Sequence, residues 1–368
     1  MSQTVLLIGT RKGLWVARSD GDRREWRMDP PQLLMENVSA VGVDPRGTGD
    51  GGGPRLFAGS TSWVYGTRVL VSDDLGASFT AGPVDAIRFP ERTGATLAAV
   101  WQLTPGLGQG EVWAGTEPSA LFRSTDGGGS FTLVDGLWDH PHRPTWAPGG
   151  GGQAVHTVLP HPTDPDDVLV AMSTGGVYGT RDGGVSWQAR SSGIRADFLP
   201  GQDPPDHGQC VHKAVRNPAD PEQLFAQNHG GVFRSDDGGL HWTDISAGLP
   251  ADFGFSVLAH PHRPGTVFVL PLVADVERLP PGGQLAVWRS DDAGRTWREQ
   301  IDGLPTDPVW SAVMRDAACT DTADPAGIYL GTRSGSVFAG TDVGGELTFT
   351  TVARDLPDVL SLRALVIS

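Results

Sequence analysis

Four side chains able to bind a metal or move a proton stand at matching places in the sequence. His156 and His212 end two copies of the motif Gly-Gln-x-Val-His, and His229 follows the second copy in a Gln-Asn-His-Gly-Gly segment. Glu117 lies in a Gly-Thr-Glu-Pro segment. Imidazole and carboxylate groups are ligands of Zn, Fe and Mn, and they are also common acid and base groups in enzymes. We predict a small-molecule enzyme in which these four residues are catalytic, and one divalent transition metal is its expected cofactor.

A second set of side chains could hold a substrate. Arg11 and Arg333 each follow a Gly-Thr pair, and Arg363 lies in the last apolar run of the chain. Guanidinium groups can bind a carboxylate through two parallel hydrogen bonds, although arginines in turns are also commonly solvated. Trp146 could stack on a sugar, while tryptophan equally fills protein cores.

The elements that must position these residues are predicted by an internal repeat. Five segments of the form Ser/Thr-x-Asp-x-Gly-x-x-Phe/Trp superpose without gaps, and their aspartates are 52, 56, 55 and 55 residues apart. Degenerate copies lie at Asp20 and Asp342. Each aspartate can accept hydrogen bonds from amides of its turn, so we assign all five a structural role. We call these segments the aspartate turns, and they are centred on Asp74, Asp126, Asp182, Asp237 and Asp292.

Strand-like runs flank every aspartate turn. Around Asp237 the runs 210–216, 223–227, 231–235 and 241–245 give four strands to one repeat. Four antiparallel strands in a unit of about 50 residues are typical of a propeller blade. Seven units predict an all-β, seven-bladed β-propeller in a single domain over residues 1–368, closed by pairing of residues 361–367 with residues 3–9.

The aspartate turns resemble the Asp-box, or bacterial neuraminidase repeat. The families that share it include sialidases, sortilin-type receptors, some xyloglucanases and bacterial propellers of unassigned activity. The resemblance covers the whole chain and implies the propeller fold, but these families differ widely in chemistry. Sialidases use three arginines and a Tyr–Glu pair, whereas all three tyrosines here fall on or beside predicted strands. A classical sialidase is therefore not expected.

In such a propeller, His156 and His212 lie on innermost strands and face the axial channel. The predicted site is the channel mouth opposite the aspartate turns, near the long loops 135–153 and 190–209, which are candidates for a lid. Hydrogen-bonded packing is the alternative role for each histidine. A glycoside hydrolase or lyase acting on carbohydrate is the alternative function, with carboxylates drawn from Glu117, Asp197, Asp206 and Asp252. A non-catalytic scaffold that binds a protein is the third.

Composition limits the partners and the compartment. The net charge of −15 disfavours nucleic acid and anionic membranes, because both are bound through clustered Lys and Arg. No apolar run approaches the roughly 18 residues that span a bilayer. Two cysteines are too few for a disulfide framework, and the N-terminal sequence lacks a basic start before a long apolar stretch. We therefore expect a cytoplasmic protein with a small-molecule or carbohydrate substrate.

Overall fold

The structure, a computed structural model, describes residues 2–47, 52–148, 152–196, 205–274 and 276–367. Strands dominate these residues. Their apolar runs are short and buried along their whole length, as in Val168–Met172 and Val267–Leu272, because other sheets cover both faces. The strands are β1 (Gln3–Thr10), β2 (Gly13–Asp20), β3 (Arg27–Met28), β4 (Asn37–Asp44), β5 (Arg55–Ser62), β6 (Gly66–Ser72), β7 (Thr80–Ala81), β8 (Ala99–Pro105), β9 (Val112–Glu117), β10 (Ala120–Ser124), β11 (Thr132–Leu133), β12 (Val155–Pro160), β13 (Val168–Met172), β14 (Gly176–Thr180), β15 (Gln188–Ala189), β16 (Val211–Asn217), β17 (Asp220–Asn228), β18 (Gly231–Ser235), β19 (Thr243–Asp244), β20 (Phe253–Ala259), β21 (Val267–Leu272), β22 (Val287–Ser290), β23 (Arg298–Gln300), β24 (Val313–Thr320), β25 (Gly327–Thr332), β26 (Val337–Val343), β27 (Glu346–Ala353) and β28 (Val359–Ile367).

Helical structure is confined, within these ranges, to single turns. One α-helical turn, α1, spans Asp135–Trp138, and short 3-10 helices span Glu91–Thr93, Arg143–Thr145 and Pro281–Gly283. No helix in the described residues has the length and apolarity needed to cross a membrane.

The described strands form five four-stranded sheets and one eight-stranded sheet. Each four-stranded sheet is an antiparallel meander of consecutive strands, such as β16–β19. The first strands of these meanders, with β24 and β28, contact one another in a cyclic order: β4, β8, β12, β16, β20, β24, β28 and back to β4. Sheets arranged around an axis in this way form a β-propeller.

The eight-stranded sheet joins the two ends of the chain. Its order is β27-β26-β25-β24-β28-β1-β2-β3. The halves β24–β27 and β28–β3 are linked by one parallel bridge, between Asp316 and Ser361. Strand β28 pairs with β1 from Gln3 opposite Ile367 to Thr10 opposite Val359. The predicted pairing of residues 361–367 with residues 3–9 is therefore confirmed.

Apolar side chains fill the spaces between neighbouring sheets. Phe57 of β5 and Phe122 of β10 share one buried cluster, and Leu224 shares another with Trp242, which closes an aspartate turn. Gly239 in that turn has φ +87°, and a Cβ there would lie 3.3 Å from Leu224. Glycine is needed at this position because the left-handed backbone approaches the core closely.

The aspartate turns are held by side-chain hydrogen bonds. In the turn of Asp237, the Ser235 hydroxyl donates to the carboxylate over 2.8 Å and accepts from the Gly239 amide over 2.9 Å. The carboxylate also accepts from the His241 amide over 2.9 Å. The same contacts recur around Asp74, Asp126, Asp182 and Asp292.

These hydrogen bonds also stabilise the charged carboxylate. Donation from the Ser78 hydroxyl and amide, and from the Ser72 hydroxyl, lowers the pKa of Asp74 to about 2. A carboxylate with a lowered folded-state pKa stabilises the protein above its unfolded pKa of about 4. That contribution is lost as the pH falls towards 2.

Asp237→Ala is expected to lower the free energy of unfolding by about 1 to 3 kcal/mol, because the His241 amide and the Ser235 hydroxyl lose their acceptor. Urea denaturation measures the change. Asp236→Ala is the matched control, since its carboxylate is 57% exposed and pairs with Arg234, and it should cost less than about 1 kcal/mol. Equal losses in the two variants would contradict a structural role for the turn.

Candidate functional site

A cavity of about 390 Å³ lies where the innermost strands begin. Its walls include the starts of β4, β8, β24 and β28 and the residues at the ends of β1, β9 and β25. The aspartate turns follow the ends of the third strands, which run in the same direction as the innermost strands, so they lie at the other end of the sheets. The polar side chains that line the cavity include Arg11, Asn37, Glu117, Arg278, Arg315, Asp316, Arg333 and Asp358.

Asp358 is held between two arginines at the rim. Its Oδ2 accepts from the guanidinium groups of Arg11, over 3.3 Å, and Arg333, over 3.1 to 3.2 Å. Both arginines follow a Gly-Thr pair at the end of a strand, so the repeat places them side by side. The predicted pairing of Arg11 and Arg333 with a carboxylate is thus made within the protein, by Asp358.

Glu117, at the end of β9, lies on the same cavity. Its Oε2 accepts a hydrogen bond from the Trp101 indole over 2.9 Å. Trp101 also lines the cavity, and the guanidinium of Arg315 lies 5.8 Å from its ring centroid. Glu117 is therefore a half-buried carboxylate beside an aromatic wall.

Asp316 is part of a buried charge network on the innermost strands. Its Oδ1 accepts from Lys213 and from Arg363, each over 2.8 Å. Burial alone would raise the pKa of Asp316, but the two cations outweigh it and lower the pKa to about 2. Arg363, predicted to bind substrate, instead neutralises Asp316.

Among the residues that line the cavity, three buried side-chain polar atoms lack a hydrogen-bond partner within the described part of the chain. They are Asn37 Oδ1, Arg315 Nε and Asp358 Oδ1. Arg315 is 8% exposed, and its Nη2 donates to the Ser173 hydroxyl over 3.2 Å. Buried polar groups are nearly always satisfied, so these three atoms are exceptions beside the cavity.

His156 lies on β12 but makes contacts of its own. Its Nδ1 is 3.1 Å from the Thr157 hydroxyl and its Nε2 is 3.3 Å from the Ser173 hydroxyl. Burial, followed by the charges of Arg315 and Lys213, holds the pKa of His156 well below its usual range. The ring is thus neutral, 2% exposed and hydrogen-bonded at both nitrogens.

His212 and His229 are brought together, as predicted. Their ring centroids are 5.6 Å apart, and potential ligand atoms of Cys210, His212 and His229 all lie within 4.8 Å of one another. His156 and Glu117 are not in this group. The expectation that all four residues share one site must therefore be corrected, because both nitrogens of His156 face hydroxyls and Glu117 faces Trp101.

Trp146 does not line the cavity. It is 4% exposed, lies in a core cluster with Trp187, and donates from its indole to the Tyr178 hydroxyl over 3.0 Å. The expected role of Trp146 in stacking on a sugar must be corrected, because its ring is already covered. Burial raises the pKa of Tyr178 to about 12, so its hydroxyl stays protonated.

The two long loops meet through a pair of histidines. His142 and His207 stack with ring centroids 3.8 Å apart and planes 14° apart. His142 also lies 3.2 Å from the Tyr178 hydroxyl. Residues 149–151 and 197–204 of these loops lie outside the described residues, so the lid remains a prediction.

Sequence reasoning found one of the cavity's carboxylates. Asp197 lies outside the described residues, while Asp206 and Asp252 are exposed and do not line the cavity. Asp316 and Asp358 were missed. The pair of Gly-Thr-Arg motifs was the available signal for Asp358, since it placed two arginines where a carboxylate was needed.

The fold places the chain in the class of β-propellers, and comparisons with known proteins agree. No family model matches the chain. It is 25% identical over 360 residues to the oligoxyloglucan-reducing end-specific xyloglucanase of Emericella nidulans. The aligned region covers 86% of this chain and 43% of that relative. The chain thus spans less than half the length of that relative.

Solved structures of similar fold include two GH74 enzymes. The GH74 xyloglucanase of Xanthomonas campestris superposes with a TM-score of 0.61 at 15% identity, over 95% of this chain and 54% of the other. The Niastella koreensis GH74 enzyme gives a TM-score of 0.59 at 16% identity, with the same coverage. At these identities the structures support the fold alone.

Proposed function

We propose that this chain is a carbohydrate-acting glycoside hydrolase whose substrate occupies the cavity lined by Glu117 and Asp358. The observation that carries the proposal is the cavity itself, which brings the carboxylates Glu117 and Asp358 together with the ring of Trp101. A sugar offers many hydroxyl groups that both donate and accept, so it suits a cavity with this polar and aromatic lining. The similarity to a xyloglucanase supports the same class of substrate.

The two carboxylates have different surroundings, which suits different roles. Asp358 is paired with the guanidinium groups of Arg11 and Arg333. Its carboxylate would accept a proton from the water that attacks the anomeric carbon. Glu117 is not paired with a cation in the described ion pairs, and its Oε1 would donate a proton to the leaving glycosidic oxygen. One water is consumed, and solvent exchange restores both carboxylates.

Glu117→Gln and Asp358→Asn test this assignment. Each change keeps the shape of the side chain but removes the acid or base, so kcat should fall by about 100-fold or more. Hydrolysis of xyloglucan oligosaccharides and of a panel of aryl glycosides is the measurement. Asp252→Asn, an exposed carboxylate away from the cavity, is the control and should keep full activity.

Binding provides a separate check on the same cavity. Calorimetry with non-cleaved oligosaccharides should show that Trp101→Ala weakens binding, because a ring that lines the cavity is removed. No hydrolysis across the panel, or unchanged rates in both carboxylate variants, would overturn the proposal.

We also propose that the eight-stranded sheet is two blades, so that the propeller has seven, and that the aspartate turns are Asp boxes. The single bridge between β24 and β28, compared with full ladders inside each half, supports this count. The hydrogen bonds shared by the five turns support the second point.

A further inference from the structure

Cys210, His212 and His229 form a compact group of potential metal ligands. Cys210 immediately precedes β16, His212 lies on it, and His229 lies in the turn between β17 and β18. The His229 amide donates to the Cys210 carbonyl over 3.0 Å, which ties the turn to the start of the innermost strand. The backbone thus positions one sulfur and two imidazoles whose ligand atoms are within 4.8 Å of one another.

The imidazole of His212 is oriented as metal-binding histidines usually are. Its Nδ1 is 2.6 Å from the Gly254 carbonyl oxygen. A carbonyl can only accept, so Nδ1 carries the hydrogen and Nε2 presents a lone pair. Phe253 and Phe255 pack against the ring, with centroids 5.3 and 4.8 Å away, and hold it in place.

We propose that the sulfur of Cys210, Nε2 of His212 and the imidazole of His229 bind one divalent transition metal ion, for which zinc is the natural candidate. Thiolate and imidazole are preferred ligands of Zn²⁺, and three protein ligands leave a fourth position for water or substrate. Tetrahedral coordination places sulfur and nitrogen ligands about 3.3 to 3.7 Å apart. The ligand atoms lie within 4.8 Å of one another, so they would have to move closer together to reach these separations.

The charges around the group limit the net positive charge that a bound metal can add. Binding displaces the thiol proton of Cys210, so the metal and thiolate together carry a charge of +1. Arg278 and Arg315 act electrostatically on both Cys210 and His212 and disfavour further positive charge. They would instead favour an anion or hydroxide at the fourth position. The inference is independent of the proposed hydrolase activity, because metal binding needs no substrate.

Metal content tests the site directly. The purified protein is stripped with a chelator, dialysed against Zn²⁺, and its metal measured by mass spectrometry; we expect one zinc per chain. Substitution with Co²⁺ should give a thiolate-to-cobalt charge-transfer band. Cys210→Ser and His229→Ala should each weaken metal binding by about 100-fold or more, exceeding the effect of losing an outer-shell partner.

Matched controls separate ligation from folding. Cys319→Ser removes the other cysteine, which is buried in an apolar cluster, and His156→Ala removes a nearby histidine outside the group. Both should keep one zinc per chain. In the unmutated protein, Zn²⁺ should slow alkylation of Cys210, a measurement that does not depend on a variant folding. No bound zinc and no cobalt band in the unmutated protein, or equal losses in the control variants, would overturn the site.

Discussion

Deleting residues 361–368 is expected to abolish cooperative folding. The deletion removes most of β28, the strand that pairs with β1 through eight residues. Leu362 and Leu365 are 0% and 5% exposed, and burying each contributes about 1.5 to 3 kcal/mol. Together with the lost ladder, this is comparable to the roughly 5 to 15 kcal/mol that stabilises a typical domain. It also leaves β1 as an open apolar edge that promotes aggregation. Size-exclusion chromatography and thermal denaturation measure the outcome.

A circular permutant supplies the control for this deletion. Ile367 pairs with Gln3, so a chain that begins at Asp355, runs through Ser368 into Met1 and ends at Arg354 joins β28 to β1 as a hairpin. The new ends fall between two exposed residues. This permutant should fold and melt cooperatively. A soluble truncated monomer with an unchanged melting temperature would contradict closure by β28.

Asp316→Asn is expected to lower the free energy of unfolding by about 3 to 5 kcal/mol, the usual cost of leaving a buried charge without its partner. The variant leaves Lys213 and Arg363 without their shared carboxylate, in a site where the Asp316 side chain is 6% exposed. Since the pKa of Asp316 is lowered to about 2, its contribution is complete above about pH 4 and is lost as the pH falls towards 2. Urea denaturation at several pH values measures both effects.

The controls for Asp316 use an exposed pair and a compensating change. Asp73→Asn breaks a pair with Arg55 in which the aspartate is 56% exposed, and it should cost less than about 1 kcal/mol. Adding Lys213→Met to Asp316→Asn removes one unpaired cation and should recover part of the loss. A loss no larger than that of Asp73→Asn would show that water reaches the network.

The fold was predictable because its signals are local and repeated. A Gly after each turn aspartate and a closing Trp or Phe recur at nearly constant spacing, so one repeat defined the others. The pairing of β28 with β1 was also predictable. The repeat at the start of the chain lacks its first strand, and the last apolar run is a first strand with no blade after it. The count of blades stays a prediction, because β24 and β28 share a bridge and form one sheet.

The site was predictable only in part. The shared motif placed His156 and His212 at the same position on the first strands of neighbouring sheets. The position of a residue on a strand does not determine which side chains its ring hydrogen-bonds. Ser173 and Thr157 satisfy His156, whereas His212 bonds the Gly254 carbonyl and lies in one group with Cys210 and His229. Asp358 was missed because its role depends on ion pairs with Arg11 and Arg333, which are more than 20 residues away along the chain.

The sparse backbone contact between neighbouring sheets has a mechanical consequence. Between named strands of different meanders, the described residues show one ladder bridge, Asp316 to Ser361. The spacing between neighbouring sheets is therefore set by the volume of the side chains packed between them. Replacing Phe57 or Phe122 with a smaller residue should let adjacent sheets move closer together and narrow the central channel. The hydrogen bonds inside each sheet should stay intact.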